Sequence, residues 1–170
     1  MNKKVLVSFC CSLFLCGCSV DVYAQSIRGT TEYQAAMQAL AESRYQDAYD
    51  LLAPMIQDGR TRGAALVEMG RIRLKQAESE MSRALTHYNE AAEYMNGGIA
   101  DNGVSGSEIP KALYDLAMIY NDKLKNYVQA HSLFSKIIEE YPTYMAIDKV
   151  YFNLASCEES MGMVEEAASH

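Results

Sequence analysis

Apolar positions in residues 112–142 fall on two helical stripes separated by a polar break. Leu113, Leu116, Ala117 and Tyr120 recur at i, i+3, i+4 and i+7, which places them on one face of a helix. Tyr127, Ala130, Phe134, Ile137 and Ile138 repeat that spacing in a second segment. Asn121, Asp122, Lys123, Lys125 and Asn126 supply the turn between them. Pro142 predicts the end of the second helix, because proline has no N–H to continue the ladder. Ser107 is the expected N-cap of the first helix, with Pro110 in the tolerated first turn.

This two-helix phrase recurs along the chain. Ala36 lies in a first helix, and Tyr45, Ala48 and Leu52 in its partner. Leu66, Met69 and Gly70 begin a second unit, followed by Ala84, Tyr88 and Ala91. Tyr151, Leu154 and Ala155, a turn at Gly162, then Val164 and Ala167 make a fourth unit that stops short at His170. The units span residues 30–60, 64–96, 111–142 and 149–170. Aligning the alanines of the second helices equates Ala48, Ala84, Ala130 and Ala167, at separations of 36, 46 and 37 residues. Small residues belong where paired helices cross closely. The longer separation contains residues 96–106, whose Gly-Gly, Asn-Gly and Ser-Gly pairs predict an exposed loop.

Leu113-x-x-Leu116-Ala117-x-x-Tyr120 and Tyr127-x-x-Ala130-x-x-x-Phe134 resemble the tetratricopeptide repeat, a helix–turn–helix unit. Residues 51–59 look like the ending of the Sel-one-like variant, so Pro54 is expected to kink that helix and Gly59 to cap it. The resemblance covers roughly residues 30–170 and implies an all-α fold, an α-solenoid of stacked hairpins. It also implies that the first helix of each hairpin lines a concave binding surface. The residues that alignment turns inward are Tyr33, Met37, Leu40, Val67, Arg71, Lys75, Lys111, Tyr114, Met118, Lys149 and Phe152. Aromatic, Met and Arg side chains suit interface anchoring, and four cations there suggest a peptide partner of acidic character. Two features depart from the family. Leu66 and Leu113 stand where an aromatic is usual, and the paired Asn and Lys of the carboxylate clamp are not reproduced.

The N-terminus reads differently. Lys3 and Lys4 precede residues 5–20, which carry no charge, as in a signal peptide over residues 1–24. Leu15-Cys16-Gly17-Cys18 resembles a bacterial lipobox, which would make Cys18 the lipidated residue and the membrane anchor. The competing site follows Val22-Tyr23-Ala24 and would release a soluble chain from Gln25. Both readings export the protein, to the periplasmic side of a bacterial membrane as a lipoprotein or into the periplasm. Residues 25–29 then serve as a linker.

Composition narrows the chemistry. A net charge of −7 repels phosphate backbones, which argues against a nucleic-acid partner. Of the five cysteines only Cys157 lies outside the N-terminal segment, so no disulfide framework is expected and Cys157 reads as a small buried hydrophobe. His87 and His131 lack metal-ligand spacing and read as surface or satisfied helix residues. Glu139-Glu140, Glu158-Glu159 and Glu165-Glu166 read as solvated faces. No catalytic motif, metal site or cofactor site is found, so the expected function is a non-catalytic scaffold or adaptor in the cell envelope. The alternatives are a soluble Sel-one-like regulator, or the repeat domain of a larger protein whose activity lies beyond residue 170.

Overall fold

A computed structural model of the chain describes residues 27–101 and 103–162. The signal segment with Cys18, and the end of the fourth unit with Val164 and Ala167, lie outside the described residues. The described residues form α1 (Thr31–Ala41), α2 (Tyr45–Leu52), α3 (Arg62–Ser79), α4 (Ala84–Ala100), α5 (Ile109–Met118), α6 (Tyr127–Glu140) and α7 (Ile147–Ser160). No strand occurs among them, so the fold is all-α. A π-turn at Ile119–Lys123 prolongs α5, and 3-10 turns at Ala53–Gln57 and Met81–Arg83 join other helices.

Side-chain caps fix the start of α1 and α6. The Thr30 hydroxyl donates to the Ile27 carbonyl at 2.8 Å and accepts from the Tyr33 amide at 3.2 Å, fixing the start of α1. Asn126 caps α6 by accepting from the Gln129 amide at 3.2 Å, and α6 stops at Glu140, ahead of Pro142. Ser107 does not cap α5. Its hydroxyl lies 3.1 Å from that of Ser105, while the Ser105 carbonyl accepts from the Glu108 and Ile109 amides at 2.8 and 3.2 Å. The backbone turn does the work assigned to the side chain.

Pro54 ends the regular helix instead of kinking it: α2 stops at Leu52 and a 3-10 turn carries the proline. Gly59 lacks the positive φ that the expected glycine cap needs. Among the described residues the positive-φ positions are Ser43 (58°), Lys125 (53°) and Gly162 (78°). Ser43 lies between α1 and α2 and Lys125 between the α5 end and α6, and Arg44 and Asn126 after them share nearly the same backbone angles, whereas the α3–α4 connection has no such residue. One turn geometry is therefore used at corresponding places.

The core is divided. One cluster joins Ala36 and Ala39 of α1 to Ala48 and Leu52 of α2 and Met69 and Ile72 of α3. A second joins Ala91 and Met95 of α4 to Leu116 of α5. A third joins Leu113 of α5 to Phe134 and Ile137 of α6 and Val150 and Leu154 of α7. Each of these three is shared by helices that follow one another in sequence, whereas a fourth joins Val67 of α3 to Ala112 of α5. Ile27, expected in a linker, is buried in the first cluster, so the fold begins earlier than the linker reading allows.

The α3–α4 pair corrects two further expectations. Residues 96–100 are helical, and α4 runs through the Gly-Gly pair to Ala100. A Cβ on Gly98 would sit 2.6 Å from the Gly63 carbonyl oxygen, and one on Gly63 would sit 2.9 Å from that of Gly98. The glycines thus let two backbones touch; they do not form a loop. Past α4 the turn also tucks inward, with Gly103 and Val104 buried. The alanine equivalence shifts as well. Ala84 is the half-exposed first residue of α4, whereas Ala91 is fully buried, as are Ala48 and Ala130. Each of these three lies three residues after a tyrosine (Tyr45, Tyr88 and Tyr127), so Ala91 is the matching position.

Candidate functional site

Two clefts run along the first helices of the hairpins. One, about 420 Å³, lies between α3 and α5, and Leu40 of α1 and Tyr88 of α4 also line it. A second, about 450 Å³, lies between α5 and α7. Met118 lines both, so the two clefts adjoin at that side chain. A small cavity of about 30 Å³ near Ile27 and Glu108 shares Glu68 and Arg71 with the first cleft.

Of the residues expected to face inward, Leu40, Arg71, Lys75, Lys111 and Met118 line the first cleft, and Tyr114, Met118, Lys149 and Phe152 the second. Phe152 is 74% exposed, a large apolar side chain presented to solvent at the groove's edge. Val67 is not on this surface. It is buried with Val104 and Ala112, because the close α3–α4 approach turns that part of α3 into the interior. Tyr33 and Met37 line neither cleft and pack, half-buried, against the first core cluster.

The cations expected to stand free are mostly paired. Arg71 grips the Glu68 carboxylate and reaches Asp115 through Nη2 and Nε, at 2.9 and 3.1 Å. Burial works against the Arg71 charge, but Glu68 and Asp115 outweigh it and hold its pKa above the ordinary value. Lys111 Nζ donates to the same Asp115 oxygen at 2.9 Å, and Lys75 to Glu78 at 2.9 Å. Lys123 lies over the Tyr88 ring at 5.6 Å. For Lys149 no ion pair within 4.0 Å is found among the described residues. Glu68, Glu78 and Asp115 also line the first cleft, although the helical alignment does not single them out. The signal was available: Glu68–Arg71 and Lys75–Glu78 are i, i+3 pairs, and Lys111–Asp115 is i, i+4. Lys123 was missed because the π-turn alters the helical register there.

The floor is held by aromatic packing. The Tyr114 ring lies 6.1 Å from Phe134 and 6.5 Å from Tyr144, and its hydroxyl accepts from Asn153 at 3.0 Å. Burial raises the Tyr114 pKa despite that hydrogen bond.

The histidines are satisfied by carboxylates. His87 is buried, with Nε2 3.2 Å from Glu80 and Nδ1 3.4 Å from Glu90. Glu90 also pairs with Arg73 at 3.0 Å, and Arg73 lies 4.8 Å over the Tyr49 ring. The Tyr49 hydroxyl meets that of Tyr94, so polar contacts bind α2, α3 and α4 together. His131 Nε2 lies 3.2 Å from Glu158, which is only 2% exposed. Glu158 is therefore an interior group, not part of a solvated acidic face; Glu159, its neighbour, is exposed. Cys157 is buried as expected, its thiol donating to the Tyr127 carbonyl at 3.1 Å, and burial pushes its pKa up.

Among the described residues no group of three or more His, Cys, Asp or Glu side chains is placed to hold a metal ion. No described helix is long and apolar enough to cross a membrane. No protein-family model matches the chain, and no curated protein sequence matches it significantly.

Proposed function

We propose that this protein is a non-catalytic interaction scaffold of the tetratricopeptide kind, whose hairpins stack as an α-solenoid and whose partner docks in the groove along α3, α5 and α7. The observation that carries this reading is the placement of two adjoining clefts of several hundred Å³, which meet at Met118 and are lined by α3, α5 and α7. The turn shared by Ser43 and Lys125 and the divided core support the repeat. The signal segment and lipobox support a lipid-anchored location in the bacterial envelope through Cys18. The motif at Val22-Tyr23-Ala24 supports the second reading, a soluble exported chain.

The test is site-specific photo-crosslinking in cells, from Met118 in the groove and from Gln46 on the exposed side of α2. A partner that crosslinks from Met118 and not from Gln46 supports the docking groove. The same adducts from both positions refute it. Membrane fractionation of Cys18→Ser decides the anchor: loss from the membrane fraction supports the lipoprotein, and unchanged release of a chain starting at Gln25 removes it.

A further inference from the structure

The chain carries a net charge of −7, yet the first cleft is electrically balanced. Arg71 and Lys111 converge on Glu68 and Asp115, and Lys75 is matched by Glu78. Asp122 and Lys123 add one charge of each sign at the π-turn, and the second cleft sets Asp148 beside Lys149. The walls thus hold equal numbers of acids and bases.

Beside these charges the lining is apolar. Leu40, Leu74, Tyr88 and Met118 come from four different helices and remain half-exposed. An acidic ligand at Arg71, Lys75 or Lys111 would have to take the cation from a carboxylate already bound at about 2.9 Å. It would exchange one ion pair for another while bringing its charge beside Glu68, Glu78 or Asp115. Lys123, in no ion pair among the described residues, stands over the Tyr88 ring beside Asp122. A basic ligand meets the mirror-image difficulty. Removing Leu40, Leu74, Tyr88 and Met118 from water, by contrast, breaks no ion pair, and only the Lys123 ammonium over the Tyr88 ring has to shift. The paired rim therefore discriminates against charge of either sign, and the apolar lining supplies the attraction.

On the reading that the groove is a docking site, we infer that the cleft between α3 and α5 takes an uncharged, apolar segment of a partner polypeptide. The aliphatic or aromatic side chains of that segment seat on Leu40, Leu74, Tyr88 and Met118. Recognition is by exclusion of charge and not by the acidic complementarity that the four cations suggest when read from the sequence.

The probe is a phage-displayed library of random 12-residue peptides, panned on the purified protein. Enriched peptides are then synthesised and their affinity measured by fluorescence anisotropy. Met118→Lys and Leu40→Lys, from different helices, are the comparison variants, each used only if its helical circular dichroism matches the parent. Enrichment of uncharged apolar peptides is expected, with binding weakened about tenfold or more by each lysine. Their affinity should change less than about twofold between roughly 0.05 and 0.5 M salt, since no charge is there to be screened. Acidic or basic peptides that lose binding in the variants and weaken steeply with salt overturn the uncharged-segment inference while leaving the docking groove standing. Enriched peptides that bind both variants as well as the parent, or a library that yields none, overturn the groove as well.

Discussion

Gly97 and Gly98 are neighbours on α4, yet alanine at the two positions should move stability in opposite directions. At Gly98 the added Cβ would lie 2.6 Å from the Gly63 carbonyl oxygen, 2.8 Å from Val67 Cγ2 and 3.0 Å from the Val67 amide nitrogen. Two of those obstacles are backbone, so no side-chain rotation relieves them, and α3 and α4 must separate. Overpacking of this kind costs about 1–3 kcal/mol, and a backbone obstacle puts Gly98→Ala at the upper end. Replacing a helical glycine by alanine returns up to about 1 kcal/mol, leaving a net loss of about 2 kcal/mol. At Gly97 the nearest atom is Leu66 Cδ1 at 3.7 Å, an ordinary contact, so only the helical gain of about 0.5–1 kcal/mol remains. Urea unfolding followed by circular dichroism reads both. With a slope of about 2 kcal/mol per molar, the midpoint should fall by about 1 M for Gly98→Ala and rise by about 0.3–0.5 M for Gly97→Ala. Equal shifts of one sign, or no loss at Gly98, would refute the claim that two touching backbones join these helices. Because α3 also carries Glu68 and Arg71, a displaced α3 should reshape the cleft as well.

Two further predictions concern charge. Arg71→Met leaves the buried Glu68 and the partly buried Asp115 without their shared cation, with an expected cost of about 3 kcal/mol, whereas Lys75→Met, on an exposed pair, should cost less than about 1 kcal/mol; thermal denaturation compares them. Burial first, then the hydrogen bond to Tyr94, pushes the Tyr49 pKa from 10.0 up to about 12. The folded state thus favours the neutral phenol, and this contribution is whole below pH 10.0 and lost as pH rises towards about 12. Tyr49→Phe should flatten the fall in stability across that window, and an unchanged alkaline profile would refute the assignment.

What was legible in the sequence was what one segment decides by itself. The stripes Leu113–Leu116–Ala117 and Ala130–Phe134–Ile137 are buried as their spacing requires, Pro142 follows the end of α6, and Cys157 is an interior thiol. Each rests on periodicity or backbone chemistry that acts over one or two turns. The helical hairpin follows from these local rules, since an amphipathic stripe must find cover.

Tertiary structure decided the rest, wherever two segments competed for one space. The Gly97–Gly98 pair is turn-forming alone but helical here, because the neighbouring backbone of Gly63 leaves room for nothing larger than hydrogen at Gly98. Ala91 rather than Ala84 occupies the crossing point for a similar reason: the neighbouring helix, not the alanine itself, marks which position is enclosed. The groove followed the same course. Periodicity could place Arg71, Lys75 and Lys111 on a shared surface, but only the approach of α5 to α3 brings Asp115 to Arg71 and turns a row of cations into a balanced rim. A charge is a property of one residue, whereas the field a ligand meets belongs to every residue folded around it.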